Sequence, residues 1–261
     1  MSIEEIIIGL YIRVDTVMKH VPKHDQAKLY PSEVVTLALL FALKGDGERA
    51  FYRWIHKNYR ALFPNLPHRT RLFRLFATHQ DWSEYFLAQP TMLGVCDTYG
   101  IELIHPWRED RSEWQIGRKG LSNHRWIVGA KLAYLVNSQG LIVAWESGDA
   151  GMADNAFQSL ISDFEDEMVV FTDMAFHAKD GDPSNQKACK RGTWGGRMVV
   201  ETVLSMLTRV CNLKKMTQRC WDAVNARLAY TMALFNILVT WDGLVIDDDG
   251  TIRLSIAEFS L

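Results

Sequence analysis

The sequence lacks the cysteine and apolar patterns that mark several protein classes. Its four cysteines are far apart, with no Cys-x-x-Cys pair and no histidine at zinc-ligand spacing, so we expect ordinary reduced thiols. No apolar run reaches the roughly 18 residues that a membrane helix needs. Acidic residues precede the short apolar run near Ile6, where a secretory signal would carry positive charge. We therefore expect a soluble intracellular protein.

A net positive charge is missing as well. The 261 residues carry a formal net charge of −2 and a pI near 6.4, whereas nucleic-acid-binding domains are commonly basic over at least one face. Any DNA-binding function must therefore rest on local charge. The hydrophobic content of 48% is enough for the core of one large domain or of two smaller ones.

The chain divides into two regions of different sequence pattern. Residues 1–90 carry apolar side chains at helical spacing, which predicts an all-helical N-terminal domain. One helix there is expected to have Ser32 as its N-cap and to stop at Gly45. After Pro90, short apolar runs typical of strands replace the helical pattern. The sequence therefore predicts a domain boundary near residue 90 and a second domain over 91–261.

The second region has the element order of an α/β fold with a mixed sheet flanked by helices. A helix over 153–166 is predicted to separate a hairpin from a later strand, whose continuous apolar run suggests burial on both faces. Two helical stretches follow, and the first covers about 196–213. The expected strands are 91–97, 125–137, 141–147 and 168–173, with hairpin turns around Gln139 and around Asp249 and Gly250.

Three acids stand at positions where they could meet. Asp97 and Asp173 each follow an apolar strand-like run, so both carboxylates would lie at the same edge of a shared sheet. The alternative is that each Asp only caps a turn, since Asp is common after strands. Glu201 is displayed beside the apolar side of its predicted helix. Its alternative is a solvated surface residue paired with Arg197.

Two acids at strand ends and one on a later helix are typical of sites that hold divalent metals for phosphodiester chemistry. Mg²⁺ prefers carboxylate oxygens, and two ions about 3.5 to 4 Å apart can bind both the attacking and the leaving oxygen. Without metal, three clustered carboxylates would repel one another. Nearby basic groups offset part of that repulsion and can also contact phosphates.

Basic residues and tryptophans alternate in the segment that follows Asp97. Aromatic rings beside cationic side chains can stack on exposed nucleobases. A solvated loop with packed tryptophans explains the same residues equally well. The residues concerned are Arg108, Arg111, Arg118, Lys119 and Arg125, with Trp107, Trp114 and Trp126 between them.

Over residues 29–241 the chain resembles the DDE-type insertion-sequence transposases, which have an RNase H-like catalytic domain. "VCDTYGIEL" is similar to the strand of the first Asp, "WIVGAKL" to the Gly-x-Lys strand, and "VVFTDMAF" to the strand of the second Asp. "GRMVVETVLSML" is similar to the helix of the Glu, whose signature is the spacing of Arg197 and Glu201. Trp194 takes the place of a Tyr in the family pattern, and Arg209 stands one place later than the expected base.

The resemblance implies an RNase H-like sheet preceded by a helical domain that contacts DNA ends. Asp97, Asp173 and Glu201 would be the catalytic residues and would bind two Mg²⁺ ions, with Mn²⁺ as a substitute. The implied activity is cleavage of double-stranded DNA at transposon inverted-repeat ends and strand transfer into target DNA. A homodimer or a DNA-induced assembly in the bacterial cytoplasm is expected. The implied DNA-binding residues are Arg197, Lys131, Arg118, Lys119, Arg125, Lys190, Arg191 and Arg209.

Two other functions fit the same residues. A host nuclease on the RNase H-like fold would use the same three acids without joining DNA ends, and a catalytically silent derivative would only bind DNA. Two further side chains near the acids have structural explanations. Asp154 matches a family position, but helix N-capping explains it as well. His177 follows Asp173 closely, where a turn residue is the more common case.

Overall fold

The structure is a computed structural model that describes residues 1–122, 124–190, 196–214, 216–246 and 252–260. The protein is mixed α/β, and its chain divides into two compact units. None of the helices in these described ranges is long and apolar enough to cross a membrane. Unit 1 combines Met1–Phe86 with Leu207–Trp241 and Ile256–Leu261, and unit 2 combines Leu87–Met206 with Asp242–Ser255.

The helices occur mostly at the two ends of the chain. Short 3₁₀ helices cover Gln80–Phe86, Pro106–Arg108, Asp154–Phe157, Met174–Phe176 and Ala257–Phe259. The α-helices are α1 (Ile3–Met18), α2 (Pro31–Lys44), α3 (Glu48–Asn58), α4 (Arg69–Thr78), α5 (Ser159–Ser162), α6 (Gly196–Arg209) and α7 (Trp221–Val239).

Helices α2 and α7 form the centre of unit 1. Twelve of the 14 residues of α2 and 15 of the 19 residues of α7 are buried. A helix that is apolar around its whole circumference must be enclosed on all sides. The two helices pack against each other, and α2 also contacts α1, α3 and α4.

The units therefore differ from the two consecutive domains expected from the sequence. The first division falls between Phe86 and Leu87, close to the expected residue 90. The sequence predicts that residues 207–241 belong to the second domain, but in the structure they belong to unit 1. The reason is that α7 buries its apolar surface against α2 and α4. Sequence pattern identifies such a helix but not its packing partners.

The two ends of α2 can be compared with the helix boundaries expected from the sequence. The helix begins at Pro31, with Tyr30 as its N-cap, so the expectation that Ser32 is the N-cap was wrong. Pro is favoured at the first helical position, since its fixed φ suits the helix and its missing N–H would be unpaired there. The predicted stop is confirmed: Gly45 has φ 66°, in the left-handed region that favours glycine.

Unit 2 contains the mixed sheet that the sequence predicted. Its order is β2-β3-β1-β5-β6, with β4 also pairing with β3. Strand β3 pairs in antiparallel fashion with β1, β2 and β4, whereas β1 with β5 and β5 with β6 are parallel. The strands are β1 (Leu93–Ile104), β2 (Arg118–Ser122), β3 (Arg125–Asn137), β4 (Ile142–Asp149), β5 (Val169–Asp173) and β6 (Gln186–Cys189); a separate pair joins β7 (Val245–Ile246) to β8 (Ile252–Arg253).

Several predicted elements of unit 2 differ in length or burial. Strand β1 runs on to Ile104 because β3 pairs along its length. The helix expected over 153–166 is a 3₁₀ helix followed by the single turn α5. Strand β5 is not enclosed on both faces, since Asp173 at its end is exposed. Helix α6 stops before residue 213, and Asn212 adopts φ 54°. The turn expected at Asp249 and Gly250 lies outside the described residues.

We predict that Gly45→Ala destabilises unit 1. An alanine Cβ would be strained at φ 66° and would lie 2.4 Å from the side chain of Asn212. We expect a loss of about 2 kcal/mol in the free energy of unfolding, measured by urea titration. Gly243→Ala isolates the backbone contribution, because Gly243 has φ 87° and no atom of the described residues lies within 4 Å of an added Cβ. This variant should cost about half as much. Equal losses in the two variants would contradict the steric account.

Candidate active site

The register between β1 and β5 places Asp97 and Asp173 side by side. Leu93 lies opposite Val169, and Val95 lies opposite Phe171 in this parallel pair. Two residues further along each strand come Asp97 and Asp173, so the same register sets them level with each other. Level residues on neighbouring strands point to the same face of a sheet. The two carboxylates therefore share one face.

Strand β3 extends this face on the other side of β1. Asp97 is the register partner of Tyr134, so the two side chains point the same way. We call the sheet face of Asp97, Tyr134 and Asp173 the acid face. The opposite face, here the core face, carries Cys96, which is buried in a cluster with Val170. The core face thus packs against this apolar cluster, and the acid face carries Asp97 and Asp173.

Glu201 lies on α6, and its charge reaches the acid face. The helix buries Val200 and Val203 and leaves Glu201 exposed. Burial is the main reason that the pKa of Tyr134 lies well above its usual range, and the negative charges of Asp97 and Glu201 raise this pKa further. Of these two acids, Asp97 has the larger effect and Glu201 the smaller.

Tyr134 is the residue of this site that the sequence did not single out. Its side chain is 0% exposed, and its hydroxyl has no hydrogen-bond partner within the described residues. Leaving a buried hydroxyl unpaired costs about 1–3 kcal/mol. The available signal was one polar ring within the apolar strand "GAKLAYLVN". Without the register, that signal does not place the ring beside Asp97.

The two aspartates also make local hydrogen bonds. The backbone N–H of Thr98 donates to Asp97 Oδ1 at 2.8 Å. The backbone N–H of Ala175 donates to Asp173 Oδ1 at 2.9 Å and caps the 3₁₀ helix that follows β5. The turn-capping alternative thus describes one role of Asp173. This capping hydrogen bond involves only one of the two carboxylate oxygens of Asp173.

The donor chemistry of the acid face suits a hard divalent cation. Asp97, Asp173 and Glu201 offer only oxygen ligands, which Mg²⁺ and Mn²⁺ prefer. Within the described part of the chain, no three His, Cys, Asp or Glu side chains converge closely enough to hold a metal ion as they stand. Ion binding would therefore require these carboxylates to move closer together.

Lys131 lies on the core face and is held by Asp154. Its Nζ donates to Asp154 Oδ1 at 2.8 Å and also to the carbonyl of Met152. The hydroxyl of Thr98 donates to the same Asp154 oxygen at 3.0 Å. Asp154 thus binds side chains rather than capping its helix, where Ala153 is the N-cap. The phosphate contact proposed for Lys131 remains a prediction, and the structure directs this side chain away from the acid face.

Three other predicted basic residues, Arg118, Lys119 and Arg125, are exposed and take part in surface ion pairs. Lys119 Nζ lies 3.0 Å from Glu109, and the guanidinium of Arg125 lies 3.0 Å from Glu102. Arg118 is 3.8 Å from Asp149 and its side chain is 84% exposed. Pairs of this kind contribute at most about 1 kcal/mol to stability.

The interleaved tryptophans are not packed into a core. Trp107 is 81% exposed, Trp114 is 87% exposed and Trp126 is 57% exposed. Lys119 Nζ lies 5.7 Å from the centre of the Trp126 ring. These rings are therefore accessible to a partner, and the alternative of packed tryptophans was wrong.

The other predicted DNA-binding residues are described only in part. Lys190 and Arg209 are exposed, and Arg209 belongs to unit 1. Arg191 lies outside the described residues. Arg197 is on the first turn of α6, but its side chain also lies outside what is described. The proposed contact of Arg197 with Glu201 or with a phosphate therefore stays a prediction.

The chain has no match among known protein-family models, and no curated protein matches it at a significant level. The residues and geometry of the acid face are accordingly the basis for any functional assignment.

We predict that Tyr134→Phe keeps or raises the thermal stability of the protein while weakening its response to divalent cations. The substitution removes an unpaired buried hydroxyl without leaving a cavity, so the midpoint of thermal unfolding should stay equal or rise. If that hydroxyl orients a metal-binding carboxylate, Mg²⁺ or Mn²⁺ should shift the midpoint of thermal unfolding less in the variant than in the wild-type protein. A full cation response in the variant would assign Tyr134 to packing alone.

We predict that Lys131→Met destabilises unit 2 because it leaves Asp154 without its cation. The two side chains are only 13% and 20% exposed, so we expect a loss of about 2 kcal/mol, measured by urea unfolding. The double variant Lys131→Met, Asp154→Asn should recover much of this loss. Unchanged unfolding together with weaker DNA binding by Lys131→Met would instead favour a phosphate contact.

Proposed function

We propose that the protein is a DDE-type transposase whose unit 2 is an RNase H-like catalytic domain. The observation that carries this proposal is the acid face, where Asp97 and Asp173 stand level on neighbouring strands beside the buried ring of Tyr134. A pair of turn-capping aspartates would have no reason to lie level on one face of the sheet.

The sheet order supports the proposed fold. An antiparallel set of β4, β3 and β1 continues into the parallel strands β5 and β6, as expected of an RNase H-like sheet. The first and second acids then fall on the two central strands, where antiparallel pairing changes to parallel. Both lie beyond an apolar stretch that anchors the strand in the core.

Asp97, Asp173 and Glu201 would hold the metal ions, and the Tyr134 hydroxyl would donate to one of these carboxylates as they close around the ions. When bound, two Mg²⁺ ions activate the attacking oxygen and stabilise the leaving oxygen of a phosphodiester. Hydrolysis breaks one P–O bond of the DNA and leaves a 3′-hydroxyl and a 5′-phosphate. In strand transfer, that 3′-hydroxyl attacks a target phosphodiester and displaces another 3′-oxygen.

The exposed basic and aromatic side chains of unit 2 would contact the DNA. The surface ion pairs of Arg118, Lys119 and Arg125 are weak, so phosphates can compete with their carboxylate partners. Accessible tryptophan rings can stack on unpaired bases near a cleaved end. Because two transposon ends are cut together, we propose a homodimer or a DNA-induced assembly.

We predict that Asp97→Asn, Asp173→Asn and Glu201→Gln each reduce Mg²⁺-dependent cleavage of DNA that carries the element's inverted repeats. Each change removes a charged metal ligand at nearly constant shape, so rates should fall at least ~100-fold while folding is retained. Asp166→Asn is the matched control, because Asp166 is exposed in the turn after α5. Gel-resolved cleavage products measure the effect.

The product pattern decides between a transposase and a nuclease. With a pre-cleaved end bearing a 3′-hydroxyl, the wild-type protein should join that end to target DNA. Nicked products without joined strands would favour the host nuclease. Full activity of the three acid variants would remove the acid face from the chemistry altogether.

A further inference from the structure

Unit 1 contains a cavity of about 430 Å³ that the proposed chemistry does not use. It lies between the segment that joins α1 to α2, the start and middle of α4, and the first residues of the 3₁₀ helix after α4. All its lining residues belong to unit 1, from Pro22 to Trp82. Its volume is within the range of pockets that hold small molecules.

Among the described residues, basic side chains line the cavity and no acid does. Its lining includes Lys28 and Arg71 together with His24, His68 and His79, but no Asp or Glu. Among the described residues, no carboxylate lies within ion-pair distance of Lys28 or Arg71. The chain as a whole carries a net charge of −2, so this local excess is not a general property of its surface. Two cations without an ion-pair partner among the described residues favour an anionic ligand at this cavity.

The rest of the wall is flat and largely apolar. The rings of His79 and Trp82 stack with their centres 4.0 Å apart and an angle of 10° between their planes. The hydroxyl of Tyr230 donates to the carbonyl of His79 at 2.7 Å and fixes this position. Burial lowers the pKa of His79, which favours the neutral imidazole. Pro22, Pro31 and Leu75 complete an apolar wall against which a planar group could pack.

We propose that this cavity binds a single nucleotide, with its phosphate at Lys28 and Arg71 and its base against the wall formed by Trp82. The volume admits one nucleotide and excludes a duplex, so the ligand is either a free nucleotide or the terminal nucleotide of a single strand. The shared chemistry is a phosphate joined to a planar ring. The proposal does not depend on the acid face or on a transposase function.

The test is calorimetric titration of the full chain with thymidine 5′-monophosphate, thymidine and inorganic phosphate. We expect the monophosphate to bind more tightly than either fragment. Arg71→Gln and Lys28→Gln should each weaken its binding about 10-fold, since each removes a charge-assisted hydrogen bond to the phosphate. Arg74→Gln is the matched control: Arg74 is exposed on the same helix as Arg71 but does not line the cavity, and its change should matter less than twofold.

A tetranucleotide with and without a 5′-phosphate distinguishes the two sources of the ligand. Tighter binding of the phosphorylated strand than of the monophosphate supports a strand end, and the reverse order supports a free nucleotide. The proposal is overturned if the monophosphate does not bind at millimolar concentration, if inorganic phosphate binds equally well, or if Arg74→Gln weakens binding as much as Arg71→Gln. Far-ultraviolet circular dichroism confirms that each variant is folded.

Discussion

The parallel register between β1 and β5 is the constraint on which the candidate site depends. Val95 opposite Phe171 sets Asp97 level with Asp173, and hydrogen bonds along both strands maintain that alignment. A slip of one residue would turn every side chain of β5 to the other face. Asp173 would then point toward the cluster that holds Val170 and Phe176, where an unpaired carboxylate is strongly disfavoured. The apolar core therefore fixes the position of the acids.

The two faces of the sheet differ in how their polar groups are paired. On the core face, Asp154 is neutralised by Lys131 and bound by Thr98, so its charge is satisfied within the fold. On the acid face, the charges of Asp97 and Glu201 both act on the hydroxyl of Tyr134, which is buried and has no partner among the described atoms. An arrangement that gathers negative charge around an unpaired donor costs stability. Such costs are found at functional sites more often than in structural cores.

The sequence predicted the parts of this arrangement that depend on local pattern. Apolar runs ending in acid located β1 and β5, and the spacing of Val200 and Val203 located the buried side of α6. The pattern could not predict which segments pack together. It therefore grouped α7 with the second domain, whereas α7 belongs to unit 1. Nor could it predict that Tyr134 faces Asp97 or that Lys131 binds Asp154, because both facts depend on register and side-chain packing between strands and loops.

The central claim is that Asp97, Asp173 and Glu201 close around divalent ions on one face of the sheet. Cleavage of the polypeptide by bound Fe²⁺ tests this claim directly. Fe²⁺ replaces Mg²⁺ at its site, and in the presence of ascorbate and peroxide it cuts the backbone only near that site. The account predicts three cuts, near residues 97, 173 and 201, that excess Mg²⁺ suppresses and that Asp97→Asn abolishes. Absence of Mg²⁺-sensitive cuts, or cuts confined to the neighbourhood of Asp154, would contradict it.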